Sequence, residues 1–338
     1  MRDIEDYSLL AHNTFGIDAR CRRFLEYETE DEAVEVARIL REAHQPYLII
    51  GGGSNLLLTR DYEGIVVHSA CRGISGVGTE NGRGLLCAGS GETWDDVVAE
   101  SVSRGYYGAE NLSLIPGDVG ASVVQNIGAY GVEVKEFVAQ VRAVRITDGR
   151  RVCLEPAGLH YGYRDSRFKH EWKNGYLITD VVYRFQADYR PRLDYGNIRA
   201  ELNQRGIAMP TAQQLREVII DIRNAKLPDP KLLGNAGSFF MNPVVPRKQF
   251  EGLQSQYPSM PHYYVDEASE KIPAGWLIDQ CGWKGRSLGR AGVHDRQALV
   301  LVNRGGATGS EIVALCRQIQ QDVYARFGIE IKPEVNIV

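Results

Sequence analysis

The chain has 338 residues, 43% hydrophobic and 24% charged, with 39 basic against 43 acidic side chains. That is apolar material for two or three cores, and a net charge of −4 leaves no basic footprint for nucleic acid and no polybasic run for a membrane surface. Six cysteines, Cys21, Cys71, Cys87, Cys153, Cys281 and Cys316, stand singly, so neither a disulfide framework nor a zinc or other metal site is expected.

The opening MRDIEDYSLL is acidic and lacks the layout of an export signal, and no apolar run approaches the ~18 residues that span a bilayer. The expected setting is the cytoplasm. Residues 31–43 place Ala33, Val34, Val36, Ala37 and Leu40 on one helical stripe. After Pro46, YLIIGGGSNLLL reads as a short strand running into three glycines, and GIVVHSA and LLCAGSG read as strands ending in turns. TWDDVVAESVSRG reads as a capped helix stopped by Gly105. VRAVRITDG, RRVCLE and GYLITDVVYRF add strands. From 211 a helix carries Leu215, Val218, Ile219 and Ile222 on one face and stops before KLPDPK, whose prolines mark a domain boundary. Then come GNAGSFFMNP, AGWLIDQCG, a strand ALVLVN, and a helix capped by Ser310 that carries Ile312, Leu315, Ile319 and Val323. The last run, GIEIKPEVNIV, alternates: Ile329, Ile331, Val335 and Ile337 on one face, Glu330, Lys332, Glu334 and Asn336 on the other.

Two glycine-rich strings carry the first chemical signal. Gly51-Gly52-Gly53-Ser54-Asn55 follows a strand, where glycines let the backbone approach a phosphate and successive N–H groups form an anion nest. The second runs from Pro116-Gly117-Asp118-Val119-Gly120-Ala121-Ser122 to Gln125-Asn126-Ile127-Gly128-Ala129-Tyr130-Gly131. Two such loops suit the two ends of a dinucleotide pyrophosphate. The chain holds no G-x-G-x-x-G and no GK[ST], so a dinucleotide here is held in a fold other than the Rossmann or P-loop type.

GGGSNLLL and LIPGDVGASVVQNIGAYG resemble the FAD-binding domain of vanillyl-alcohol-oxidase-type flavoproteins. Three further strings, YGYRDSRF at 161–168, GNAGSFFMNP at 234–243 and PEV at 333–335, resemble the UDP-N-acetylenolpyruvoylglucosamine reductase family, in the family's order and over nearly the whole chain. The resemblance implies an α+β fold: a two-subdomain FAD-binding fold of the vanillyl-alcohol-oxidase type plus a C-terminal α/β substrate-binding domain. Residues 1–69, completed by a C-terminal strand at 328–338, would form the first FAD subdomain, 70–208 the second, and 209–327 the substrate domain. It implies non-covalent FAD, contacted by Gly51, Gly52, Gly53, Ser54, Asn55, Leu56, Asn111, Ile115, Pro116, Gly117, Gly120, Ala121, Ser122, Gln125, Asn126, Ile127 and Gly128. It also implies NADPH as co-substrate and a cytoplasmic monomer of peptidoglycan precursor synthesis, serving cell-wall biogenesis, cell shape and cell division.

The family reduces an enolpyruvyl ether to a lactyl ether, taking UDP-N-acetylglucosamine enolpyruvate to UDP-N-acetylmuramate. Hydride from flavin N5 goes to one vinyl carbon, and a proton goes to the carbon beside the carboxylate. A guanidinium suits the enolate charge that develops on that carboxyl, and Arg164 matches the family residue in this role. Glu334 matches a second group at the same centre, and Ser238 matches the proton donor. A hydroxyl is a poor acid unless positioned against a basic acceptor, and an enolate carbon is one. Ordinary roles compete for each: a surface ion pair for the arginine, a turn for the serine, a solvated strand face for the glutamate.

Carried over position by position, Lys226 and Tyr263 match diphosphate contacts, Asn242 and Gln297 further substrate contacts, Tyr195 a sugar-nucleotide contact, and Tyr130 and Tyr163 aromatics near the substrate. A lysine suits phosphate as a compact charge, and a tyrosine both stacks and donates. The tyrosine-bearing stretch between Phe240 and Ala274 resembles the longer, type I form of the family, in which a tyrosine closes over bound substrate. Two positions depart from common family residues: Val123 stands where some members have proline, and Asn336 where several carry arginine. The rival readings are a flavin oxidase, for which His68 and Cys71 are the nearest covalent attachment candidates, and a UDP-sugar-binding regulator without the Arg-Ser-Glu set.

Overall fold

The computed structural model describes residues 1–338. They form two compact units: Met1–Tyr7, Cys21–Gly52 and Tyr62–Ala225 make the first, and Ser8–Arg20, Gly53–Asp61 and Lys226–Val338 the second. The segment 1–69 is therefore shared by both units, and one crossing falls inside the triple glycine.

The first unit is built on two sheets. In one, the order is Arg2–Ser8, Arg20–Tyr27, Tyr62–Ser69, Tyr47–Ile50, with the last three strands parallel. Helix Glu30–Ala43 connects two of them and buries Ala33, Val36, Ala37 and Leu40, the expected stripe. Thr29 caps it by accepting the Glu32 amide at 3.2 Å. The other sheet is wholly antiparallel, ordered Arg151–Leu154, Val138–Arg145, Tyr176–Phe185, Arg83–Gly89, Ile74–Glu80. Against it pack helices Trp94–Ser103 and Val119–Gln125, through Trp94, Val97, Val98, Val119 and Val123. Helix Ala212–Lys226 buries Leu215, Val218, Ile219 and Ile222 as expected, in a separate cluster with Ile198 and Leu202. It runs one residue into KLPDPK before the prolines end it.

The second glycine string was expected as a loop, yet its middle is a helix, Val119–Gln125, entered at Asp118. Gly120 explains the departure. Its amide donates to Ser90 O at 2.8 Å, and an added Cβ would come 3.0 Å from Ser90 Cβ, so a small residue lets this turn lie close on the neighbouring chain. Val123, the first departure, is a fully buried core residue of that helix.

The second unit carries an antiparallel sheet ordered Gly234–Ser238, Val300–Asn303, Ala291–Val293, Ser287–Leu288. A three-stranded sheet of Val244–Pro246, Ser269–Lys271 and Tyr263–Asp266 accompanies it, with helices Arg247–Gln256, Ala274–Gln280 and Gly309–Phe327. The cap of the last helix is Thr308, not Ser310: Thr308 accepts the Glu311 amide and Glu311 returns the bond to the Thr308 amide, a capping box. At the C-terminus Ile329, Ile331 and Val335 are buried as the alternation predicts, but Ile337 is exposed. Only Asn336–Ile337 is a strand, parallel to Leu56–Leu57. Pro333, which has no N–H for a ladder, breaks the longer strand that the pattern suggests.

Candidate functional site

In the first unit the two glycine strings meet. An added Cβ at Gly51 would lie 2.9 Å from Ala121 Cβ, and one at Gly52 would lie 2.9 Å from Asp118 Oδ1. These glycines thus have a packing reason to be glycine. Ser122 turns its hydroxyl inward, to Val119 O at 2.7 Å and the Tyr183 hydroxyl at 3.0 Å. Ile115 and Ile127 pack against the sheet core. Gly117 holds a φ of +110°, a conformation that suits glycine where the string enters its helix.

Asp118 also faces His68. The His68 ring, stacked near Phe24, sets Nδ1 2.9 Å from Glu26 Oε2 and Nε2 3.4 Å from Asp118 Oδ2. Arg2 binds the other Glu26 oxygen at 2.9 Å. Burial favours the neutral imidazole, but the hydrogen bonds and charges of Asp118 and Glu26 outweigh it and raise the His68 pKa. Burial likewise opposes the Glu26 carboxylate, and His68 and Arg2 more than compensate, holding it below its ordinary range. Cys71 is buried, and burial pushes its thiol up.

The end of the second glycine string is tied to YGYRDSRF. Asn126, fully buried at a left-handed φ of +46°, donates to Gly162 O at 2.7 Å and accepts the Lys135 amide at 3.2 Å. Ser166 donates to Val124 O at 2.5 Å. Gly162 and Asp165 close a tight turn with reciprocal amide–carbonyl bonds of 3.0 and 3.2 Å, leaving Tyr163 and Arg164 at its tip. Arg164 takes a φ of +55°, in a turn position that normally selects glycine or asparagine. That conformation costs about 1 kcal/mol for a residue with a Cβ, and such outliers gather where a side chain must be aimed. The guanidinium donates to the Gly128 carbonyl, has Glu133 at 3.9 Å, and lies 5.1 Å from the Tyr163 ring centre.

Tyr130, also left-handed at φ +47°, meets Tyr195 edge-on at 6.4 Å. Asn111, buried to 1% exposure, spends its amide on Tyr130 O at 2.9 Å and Arg192 O at 3.0 Å. Arg223 is a residue that the sequence reading missed. It faces the Tyr130 hydroxyl with its Nε buried and unpartnered, and burial lowers its pKa against the pull of Tyr130 and Asp95. A lone arginine on the polar side of an amphipathic helix carries no such signal.

In the second unit the strings 234–243 and 333–335 lie side by side. Glu334 N donates to Phe239 O and Met241 N to Lys332 O, at 2.8 and 2.9 Å, and Phe240 bridges Pro333. Strand Gly234–Ser238 pairs with Val300–Asn303 but slips register between Asn235 and Ser238. Gly237 makes the slip at φ +66°, its amide held by Asn235 Oδ1 at 2.9 Å. Buried Asn235 is itself fixed by Leu233 O and Thr14. The bulge leaves Ser238 exposed while Phe239 and Phe240 are buried on either side of the backbone bond to Glu334.

Asn55 joins this group: its side chain donates to Glu334 O at 3.2 Å, and its carbonyl accepts both the amide and the side chain of Asn336 at 3.1 Å. Asn336, the second departure, thus ties the C-terminal string to the glycine string. Asn242 accepts the Ala274 amide at 2.9 Å, and Gln297 Oε1 lies 3.2 Å from where a Gly275 Cβ would sit, so both converge on the start of helix Ala274–Gln280. Tyr263 is exposed on its hairpin with Lys271 Nζ 5.7 Å from its ring centre, and Lys226 is exposed at its helix end. No cluster of three or more His, Cys, Asp or Glu side chains is placed to hold a metal ion, and no helix is long and apolar enough to cross a membrane.

Residues 22–154 match the FAD binding domain model, and residues 229–338 match the UDP-N-acetylenolpyruvoylglucosamine reductase, C-terminal domain model. A UDP-N-acetylenolpyruvoylglucosamine reductase of Bacteroides fragilis is 52% identical over 335 residues, covering 99% of each chain. One of Paraburkholderia xenovorans is 48% identical, over 97% of this chain and 95% of its own. The crystal structure of UDP-N-acetylenolpyruvylglucosamine reductase from Thermus caldophilus shares the fold, with a TM-score of 0.68 at 22% identity over 99% of this chain and 98% of that one. The residues fit FAD. No side chain in 51–55 exceeds asparagine in size or carries charge, so none of them blocks or repels a phosphate at this loop. The chain has an FAD-binding domain and the α+β fold of an FAD-containing oxidoreductase, and it belongs to the UDP-N-acetylenolpyruvoylglucosamine reductase family.

Proposed function

We propose that this chain reduces UDP-N-acetylglucosamine enolpyruvate to UDP-N-acetylmuramate with NADPH, as a cytoplasmic monomer of peptidoglycan precursor synthesis. FAD, bound non-covalently, supplies the hydride chemistry. Gly51–Leu56, Asn111, Ile115, Pro116, Gly117, Gly120, Ala121, Ser122, Gln125, Asn126, Ile127 and Gly128 would hold it, with Asn111 acting through the Tyr130 carbonyl. The engagement of both His68 nitrogens by carboxylates and the burial of Cys71 support a non-covalent cofactor.

Ser238 gives its proton to the carbon beside the substrate carboxylate. Arg164 offsets the enolate charge that develops as hydride arrives, and Glu334 polarises the same centre. Tyr130, Tyr163, Tyr195, Lys226, Asn242, Tyr263 and Gln297 bind the UDP-sugar, with Arg223 beside Tyr130 as an added contact. The exposed hairpin of Tyr263 is the segment that closes over substrate. NADPH and the UDP-sugar occupy the same pocket in turn.

The observation that carries this reading is the pairing of Glu334 with Phe239, which sets the glutamate string beside the bulge that exposes Ser238. Anaerobic stopped-flow at the flavin band tests it. NADPH should bleach the band, and the enolpyruvyl sugar should restore it. Bleaching without recovery would remove the cell-wall substrate.

A further inference from the structure

Arg2, Glu26, His68 and Asp118 form a chain of alternating charge in the first unit, with steps of 2.9, 2.9 and 3.4 Å. They come from three strands and one helix cap: Arg2 and Glu26 on neighbouring strands, His68 on the next, Asp118 at the entry to helix Val119–Gln125. Tyr7 backs Arg2, and Phe24 stacks on the imidazole. Glu26 and His68 are 7% and 8% exposed. A neutral imidazole has one donor and one acceptor, and both His68 nitrogens face carboxylate oxygens, which only accept. Only the imidazolium satisfies both partners.

The placement of Asp118 gives this chain a consequence for ligand binding. Its Oδ1 lies where a Gly52 Cβ would come within 2.9 Å, and its Oδ2 is the oxygen that faces His68. A lone carboxylate against a loop that receives a pyrophosphate would repel it. With His68 protonated, the two acids and two bases cancel. With His68 neutral, the group carries a net negative charge beside Gly52.

We infer that protonated His68 is a positioning residue for FAD: it neutralises Asp118 and holds it against Gly51 and Gly52, so that losing its proton weakens cofactor binding. The inference rests on the reading that FAD lies along these glycines. The raised pKa of His68 sets the direction. Its contribution is whole below the ordinary imidazole value and is lost as pH rises through the raised one. Glu26, held below the ordinary carboxylate range, stays ionised throughout that window.

The test is FAD titration of the full-length apoprotein, read by quenching of flavin fluorescence from about pH 6 to about pH 9. The wild-type Kd should rise about tenfold across this range. His68→Gln should bind about tenfold more weakly at the acid end and show no such rise. Asp118→Asn removes the repelling charge, so the group is neutral rather than negative once His68 loses its proton, and at the alkaline end this variant should bind as tightly as wild type does at the acid end. That asymmetry separates charge from loss of packing, and thermal melts establish that each variant is folded. If His68→Gln does not fold, Asp118→Asn alone decides. A wild-type slope retained in folded His68→Gln, or folded Asp118→Asn binding more weakly at the alkaline end than wild type at the acid end, overturns the inference. No FAD binding at any pH instead defeats the reading beneath it.

Discussion

The guanidinium of Arg164 rests on the backbone of Gly128, donating to its carbonyl, and an added Cβ there would lie 2.6 Å from Nη1. The same Cβ would meet Val132 O at 2.8 Å, so Gly128→Ala should push the guanidinium aside and lower the melting temperature as well. A displacement of this order in a charge-stabilising group costs about 100-fold. The expected loss falls on reoxidation by the enolpyruvyl sugar, while flavin reduction by NADPH stays near wild type. Stopped-flow traces of the separated half-reactions measure both, and equal loss in the two would detach Arg164 from the enolate.

Ser238 is exposed on a bulge, so its hydroxyl contributes little to folding. Ser238→Ala should keep the melting temperature and the NADPH half-reaction, and slow reoxidation by about 100-fold or more, the range of a lost general acid. If reoxidation survives intact, another group supplies the proton.

Asn126 combines a left-handed φ of +46° with two side-chain bonds in a fully buried place. Asn126→Ala strands the Gly162 carbonyl and the Lys135 amide and puts a Cβ-bearing residue without a compensating bond in that conformation. A cost of about 2–4 kcal/mol follows, readable by chemical denaturation of the holoprotein. A cost below about 1 kcal/mol would mean that these bonds are replaced by water.

Burial pushes the Glu110 carboxyl above its ordinary range, against the Gly108 amide that it accepts at 2.9 Å and the charge of Arg192. For an acid raised in the fold, the ionised form penalises the native state, so stability falls as pH climbs from the ordinary value through the raised one. Glu110→Gln should melt higher than wild type near pH 8, and the advantage should vanish by about pH 4. Melting curves at both pH values decide; a lower melting temperature at pH 8 would show that the Gly108 bond outweighs the desolvation.

Much of this was legible in the sequence, for physical reasons. The stripe Leu215, Val218, Ile219, Ile222 needs only helical periodicity and one buried face, and the strands of the FAD-binding unit are long apolar runs. The strings around Arg164, Ser238 and Glu334 were found through family resemblance, and the structure places two of them side by side. What stayed hidden depends on distant partners. His68 stood out as an attachment candidate, yet its ring is flanked by carboxylates from residues 26 and 118. Thr308 outranked Ser310 as a cap because Glu311 sits at the distance that completes the box. The helix at Val119–Gln125 was masked by its glycine, whose smallness serves contact with Ser90 and not a turn.

The parallel pairing of Leu56–Leu57 with Asn336–Ile337, reinforced by both bonds from Thr59 to Val338 O, joins points 280 residues apart. During synthesis the strand Leu56–Leu57 lacks this neighbour until residues 336–338 have been made. That delay gives the unit a high loop-closure entropy and a late nucleus. Loss of residues 336–338 should then impair refolding more than the small area they cover suggests. The stretch 56–59 would stay open to proteases in chains that lack residues 336–338.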